Sequence, residues 1–261
     1  MIPKLENKTL RGRPVRVYGC KPVIIGITGN LGSGKTTLAR LLEMEYQIYY
    51  IIPFGKALKD TVYFAFGVEQ TVKDVPHFAE IRPAKEDIVK SLQEGIDNLN
   101  LLLKGQHLPE LSDEDKAMYM SLADEPDMNM AELHRRLLQL TGTEIFRARD
   151  PYYWVKQTNP VVIDKLTRGK LVIIDDVRFL SEAEYVKQMQ GILVRMVTPV
   201  RKAVATGIAK HKSETEQEQI KVDYTIENEI PNDESQMREH ITALAGKAVG
   251  LLMDDIKTNL V

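Results

Sequence analysis

A single cysteine, Cys20, rules out an intrachain disulfide and speaks against a cysteine-based metal site. Such sparing use fits a reducing compartment, and a cytoplasmic location is the expectation. No apolar run reaches the roughly 18 residues that a membrane helix needs. The opening residues also lack an apolar signal-type stretch ahead of a small-residue cleavage site, so no membrane partner is expected. An excess of one charge is missing as well: 35 Lys and Arg face 37 Asp and Glu. No global basic field pulls the chain onto nucleic acid, so any anion must be bound locally. The five histidines (His77, His107, His134, His211 and His240) show no metal-ligand spacing. There is no internal repeat and no low-complexity tract.

What is present is an alternation of strands and helices. Val23 to Thr28 is a short β-branched apolar run between Pro22 and Gly29, and reads as a buried parallel strand. A helix follows over 36–46, then a strand over 49–53 and a helix over 55–67. Residues 68–130 are polar, punctuated by proline and acidic clusters. Within them Ile88, Leu92, Ile96, Leu99 and Leu103 recur at helical spacing, which predicts a helical insertion. Helices are predicted over 131–147 and 151–166 and strands over 171–174, 192–197 and 224–226. Ser181 with Glu184 has capping-box spacing for a further helix, and a last helix carries Met237, Ile241, Leu244, Ala248 and Leu252. Such alternation implies an α/β fold with a parallel sheet and right-handed crossovers. The division expected is a basic extension over 1–21, a core over 22–67 and 131–261, and the insertion between them.

The strongest local signal is Gly29-Asn30-Leu31-Gly32-Ser33-Gly34-Lys35-Thr36, placed between a strand and a helix. Glycines admit backbone conformations that side chains forbid. Successive N–H groups and the helix N-terminus then face a phosphate. In that context Lys35 reaches the β- and γ-phosphates and the Thr36 hydroxyl ligates Mg²⁺. ATP and Mg²⁺ are therefore the expected cofactors, with Gly29, Asn30, Gly32, Ser33, Gly34, Lys35, Thr36 and Thr37 as the donor-binding set. No Asn-Lys-x-Asp base-reading motif occurs, which favours a small kinase over a GTPase switch.

A second strand end runs into Asp175-Asp176-Val177-Arg178. Carboxylates there lie beside the phosphate loop in parallel sheets. One of the two can hold the Mg²⁺ hydration shell or orient an acceptor oxygen, or both can form a solvated turn. Arg135 and Gln139, four apart, share a helix face that either grips a phosphate and reads a base edge or is plain polar surface. Trp154 either stacks on a base or fills the core. The cluster Arg201, Lys202, Lys210, His211 and Lys212 is either a closing lid over about 199–215 or a solvated loop.

These residues together resemble the bacteriophage deoxynucleoside monophosphate kinases, within the P-loop group of nucleoside monophosphate kinases. Beyond the phosphate loop the likeness rests on Pro53-Phe54-Gly55-Lys56-Ala57-Leu58-Lys59-Asp60, on Arg135-Arg136-Leu137-Leu138-Gln139 with Gly142-Thr143-Glu144, and on Tyr153-Trp154-Val155-Lys156. Its most specific part is Asp176-Val177-Arg178-Phe179 with Glu182-Ala183-Glu184. His211-Lys212-Ser213-Glu214 and Asp223 to Asn228 complete it.

The resemblance implies a three-layer P-loop kinase fold with a helical acceptor-binding insertion. It implies transfer of the ATP γ-phosphoryl to a deoxynucleoside 5′-monophosphate, a small-molecule partner. Lys35, Asp176 and Arg178 become the catalytic set, with Thr36 and Asp176 at the metal. Arg201 and Asn228 join the donor site. Phe54, Lys59, Arg135, Gln139, Trp154 and Arg178 are assigned to the acceptor. Residues 1–21 and 68–130 depart from the family's pattern, so base preference does not transfer. Self-association as a homodimer stays open. The rival readings are a kinase for a modified base within DNA, a regulatory nucleotide-binding module, and a kinase for another small metabolite.

Overall fold

A computed structural model describes residues 9–10, 13–14, 24–46, 49–67, 80–198 and 212–228, with positions 240, 243, 246 and 250. In chain order its first elements are β1 (Thr9–Leu10), β2 (Arg13–Pro14), β3 (Ile24–Thr28), α1 (Lys35–Tyr46), β4 (Tyr49–Ile51), α2 (Phe54–Phe66), α3 (Lys85–Gly105), α4 (Asp113–Met120) and α5 (Met130–Gln139). They continue with α6 (Tyr153–Thr167), β5 (Leu171–Ile174), α7 (Leu180–Gln188), β6 (Ile192–Val197), α8 (Lys212–Gln219) and β7 (Tyr224–Glu227). The chain divides into two compact units, one of Met1–Pro53 with Thr158–Val261 and one of Phe54–Gln157.

The first unit is built on a five-stranded sheet of order β4-β5-β3-β6-β7, every pair parallel. All five residues of β3 are buried, as a central strand covered on both faces requires. Ile25, Ile27, Leu171, Ile173, Val194 and Met196 meet Leu38, Ala39 and Leu42 of α1 in one core. The opposite face is closed by α7: a methyl group on Gly26 would come within 3.1 Å of Val186. Helices on both faces make the expected three-layer α/β arrangement of a P-loop kinase. β1 and β2 form an antiparallel pair in a sheet of their own.

The second unit is helical, and it is larger than the sequence pattern indicated. Val62, Ala65 and Phe66 of α2 and Leu133 and Leu137 of α5 share a core with Ile88, Leu92 and Ile96 of α3. Both helices therefore belong here and not to the sheet unit, which moves the boundaries from 68 and 130 to 54 and 157. Beyond Gln139 the helix widens into a π-helix over Leu140–Arg147. Its Gly142 lies against Leu58, whose Cδ2 would be 2.6 Å from an added Cβ.

The same segment holds a buried polar pair. Tyr119 and Thr141 are both fully buried, and their hydroxyl groups lie 2.8 Å apart. Burial pushes the Tyr119 phenol well above its usual range, so it stays neutral. Tyr119→Phe is expected to cost about 1–2 kcal/mol, because a buried hydroxyl then loses its partner. Adding Thr141→Val should return much of that loss, since both polar groups are then gone. Urea unfolding of the two variants checks this.

Candidate active site at the phosphate loop

Gly29 turns the chain out of β3 with φ 140°. A Cβ there would stand 2.3 Å from the Met196 carbonyl oxygen of β6, so the turn excludes any side chain. The loop's carbonyl groups are then taken up one after another. Asn30 O accepts from Ser33 N at 3.2 Å, and Gly34 O accepts from Leu38 N at 2.9 Å within α1. Ser33 O accepts from Asn228 Nδ2 at 2.9 Å. With carbonyls engaged elsewhere, the amide hydrogens of the loop are left for an anion.

Lys35, first residue of α1, folds back onto the loop and donates to Gly29 O at 2.6 Å and Asn30 O at 2.9 Å. Burial, and next the charge of Arg178, lower its ammonium to about 8; Asp175 and Asp176 pull the other way. Arg178 and the two carboxylates thus all act electrostatically on Lys35 at the carboxyl end of the sheet. Thr36 Oγ1 donates to Asp175 Oδ2 at 2.9 Å. Asp175 is 8% exposed and Arg178 is exposed. Among the described residues no group of three or more His, Cys, Asp or Glu could cage a metal. The Thr36 hydroxyl and Asp175 carboxylate nevertheless fit Mg²⁺, a hard cation that takes a few protein oxygens and fills its shell with phosphate and water.

Of the two adjacent carboxylates, the one bonded to Thr36 is Asp175, next to the Asp176 expected at the metal. Successive strand side chains alternate, and Leu171 and Ile173 point into the α1 side of the core. Asp175 follows in the turn just past β5 and reaches Thr36 in the first turn of α1.

The turn from β5 into α7 is held from within. Glu182, 2% exposed, accepts from Arg178 N at 2.8 Å and Phe179 N at 3.2 Å. The expected Ser181–Glu184 cap is therefore displaced by two residues: α7 starts at Leu180, and Glu182 meets the orphan donors.

A cavity of about 190 Å³ opens beside the loop, lined by Gly29, Asn30, Ser33, Arg195, Thr198 and Gln217 among others. Arg195 Nη2 donates to Gln217 O at 3.1 Å and Ile220 O at 2.6 Å, and so ties the end of α8 to β6. Among the described residues, Ser33 Oγ, Thr198 Oγ1 and Gln217 Nε2 are buried without a partner, as is Thr28 Oγ1. Unpaired buried polar atoms are costly and rare, so a polar ligand or ordered water suits this place. No sequence signal pointed to Thr198 or Gln217.

The remaining expected residues fall as follows. Asn228 is 4% exposed and braces the loop. Thr37 and Asn30 are exposed on the loop and α1. Arg201, and with it most of the expected lid, lies outside the described residues, as does most of the basic stretch 1–21. In the helical unit Arg135 pairs with Glu132 through Nε at 2.9 Å and Nη2 at 2.5 Å, and Gln139 Nε2 donates to Glu144 Oε1 at 3.1 Å. Lys59 is exposed on α2, and its charge adds to burial in lowering the His134 imidazole.

Trp154 and Phe54 do not present a surface to a ligand: each is 1% exposed. The Trp154 indole donates to Gly142 O at 2.8 Å and packs with Phe146 and Tyr153. Its expected contact with the acceptor gives way to a core role, because the ring faces and the N–H are already engaged.

A glycine loop on a buried central strand, with a lysine and a Thr–carboxylate pair at the mouth of the next helix, defines a P-loop phosphotransferase. The chain belongs to the deoxynucleotide monophosphate kinase family, whose model matches residues 23–236. It is thus an ATP-dependent kinase of deoxynucleoside monophosphates. No curated protein matches the chain. Among solved structures it is similar to the crystal structure of TT1252 from Thermus thermophilus, at 18% identity, over 87% of this chain and 96% of that one, with a TM-score of 0.40. That likeness is too loose to carry an argument.

Proposed function

We propose that the chain passes the γ-phosphoryl of ATP in line to the 5′-phosphate oxygen of a deoxynucleoside monophosphate, with the donor held by residues 29–37. A bond forms from the acceptor oxygen to the γ-phosphorus, the β–γ bridging P–O bond breaks, and ADP and a deoxynucleoside diphosphate result. One observation carries this reading: Lys35, the Thr36–Asp175 pair and Arg178 gather at the carboxyl end of β3 and β5.

The acceptor is already an anion, so no strong base is needed, and the protein's task is alignment and charge neutralisation. Lys35 leaves the loop carbonyls for the phosphate oxygens. Arg178 offsets the charge that accumulates on the transferring group. Thr36 and Asp175 would hold Mg²⁺, which supplies further neutralisation of the phosphates when bound. The acceptor nucleotide is assigned to the α5 face carrying Arg135 and Gln139, where an incoming phosphate would displace Glu132 from Arg135. Arg201 is assigned to the donor. ATP·Mg²⁺ incubated with a panel of deoxynucleoside monophosphates, 5-substituted pyrimidines included, tests the reading by diphosphate formation. ADP release that no monophosphate accelerates would refute it.

The lowered Lys35 gives a pH dependence with a definite sign. Phosphate oxygens favour the charged ammonium, so above about pH 8 binding must take up a proton. ATP affinity is then expected to fall by up to about tenfold per pH unit, and to level off below that point. The effect on folding runs the other way. The unfolded chain, with lysine near 10.5, holds more protons between about 8 and 10.5, so this group's share of stability rises with pH across that window. Calorimetric titration of ATP from pH 7 to 9.5 checks the binding slope.

A further inference from the structure

We propose that His240 is a positioning residue for the phosphate loop, acting through the side-chain amide of Asn228. The inference rests on the loop's role in nucleotide binding and adds to it a mechanism that keeps the loop in shape. Asn228 is assigned to the donor site, and its side chain contacts the phosphate loop itself.

Asn228 is 4% exposed and lies at the end of β7. Its own N–H donates to Val197 O at 2.7 Å, which fixes its backbone against β6. Its Nδ2 donates to Ser33 O at 2.9 Å. The amide also fills the space beside Gly34, where a Cβ would come 2.4 Å from Nδ2. Gly34 has φ 92°, the left-handed region, so the loop is open to glycine alone here and has no side chain of its own to lean on. Asn228 serves as that support.

An amide can be turned over, and only one orientation works. Ser33 O is an acceptor, so the NH₂ must face it. The Oδ1 atom then faces His240 Nε2 at 2.6 Å, and a contact of that length requires the proton to sit on Nε2. His240 thereby selects the orientation in which Asn228 donates to the loop. With the amide reversed, two oxygens would oppose each other and the Ser33 carbonyl would be free to rotate toward the phosphates it should avoid. His240 touches neither nucleotide nor acceptor in this account.

Direct ATP·Mg²⁺ binding to the full chain, with KM values for ATP and for the monophosphate, provides the test. His240→Leu should weaken ATP binding and raise the ATP KM by about tenfold, the scale of one lost interaction, with the monophosphate KM within about twofold. His240→Gln, which retains a donor at the same reach, should restore most of the affinity. Equal affinity of His240→Leu and wild type overturns the proposal, as does equal weakening by Leu and Gln. Wild type that fails to bind ATP overturns the nucleotide reading and this proposal together, which separates the two failures. A further readout needs no variant: long-range ¹H–¹⁵N spectra should place a proton on His240 Nε2, and an unprotonated Nε2 overturns the assignment.

Discussion

Lys35→Met is expected to lower phosphoryl transfer by about 10³-fold or more, because one positioned cation facing a transferring phosphoryl group carries stabilisation of that order. The variant should fold. Among the described residues Lys35 bonds to the loop carbonyls of Gly29 and Asn30 alone, and methionine keeps the apolar part of the stem in its half-buried position. Loss of a charge that burial disfavours carries no penalty for the fold. ATP binding should weaken together with turnover, and the affinity slope above pH 8 should vanish, since its titrating group is absent. ADP release with the best monophosphate, read beside a thermal melt, decides the matter. Turnover above about a tenth of wild type in a folded variant would remove Lys35 from the mechanism.

The sheet was legible because its central strands are buried on both faces. Leu171–Ile174 is an unbroken apolar run and Ile192–Val197 is interrupted by Arg195 alone, and such runs survive any detail of packing. The phosphate loop was legible because its glycines are required by geometry, with Gly29 pressed against the Met196 carbonyl. The division into units was not. A helical stripe such as Val62, Ala65 and Phe66 shows that a face is buried but not which partner buries it. The π-helix over Leu140–Arg147 was invisible for a related reason. Its widening accompanies a tertiary fit, Leu58 against Gly142 and the Trp154 indole on the Gly142 carbonyl, and no local propensity encodes that.

Within the site, residue type was easier to read than residue role. Asn228 and Arg178 lie beside the loop or its lysine, yet Asn228 is turned inward as a brace. Glu182 also lay within the family-like stretch, but burial beneath the Arg178 turn makes it a support for that turn. His240 carried no motif at all; its contact with Asn228 brings together two residues from different elements. Trp154 shows the converse, since a lone aromatic in a motif can be core.

The two adjacent carboxylates separate most sharply by experiment. Asp175→Asn is expected to lower turnover by about 10²–10³-fold and to raise the Mg²⁺ concentration needed for half-maximal rate, because the charged oxygen facing Thr36 is lost. Asn retains the shape and can still accept the Thr36 hydroxyl, so folding should be preserved. Asp175 also raises the Lys35 pKa, and its removal should move the fall in ATP affinity to below about pH 8. Asp176→Asn should cost about tenfold or less, since among the charges acting on Lys35 its contribution ranks last. What distinguishes the pair is the Thr36 hydroxyl, which donates to Asp175. Titrating Mg²⁺ against rate for both variants tests this directly. If Asp176→Asn shows the larger metal requirement, Thr36 is paired with the wrong carboxylate and the site must be rebuilt around Asp176.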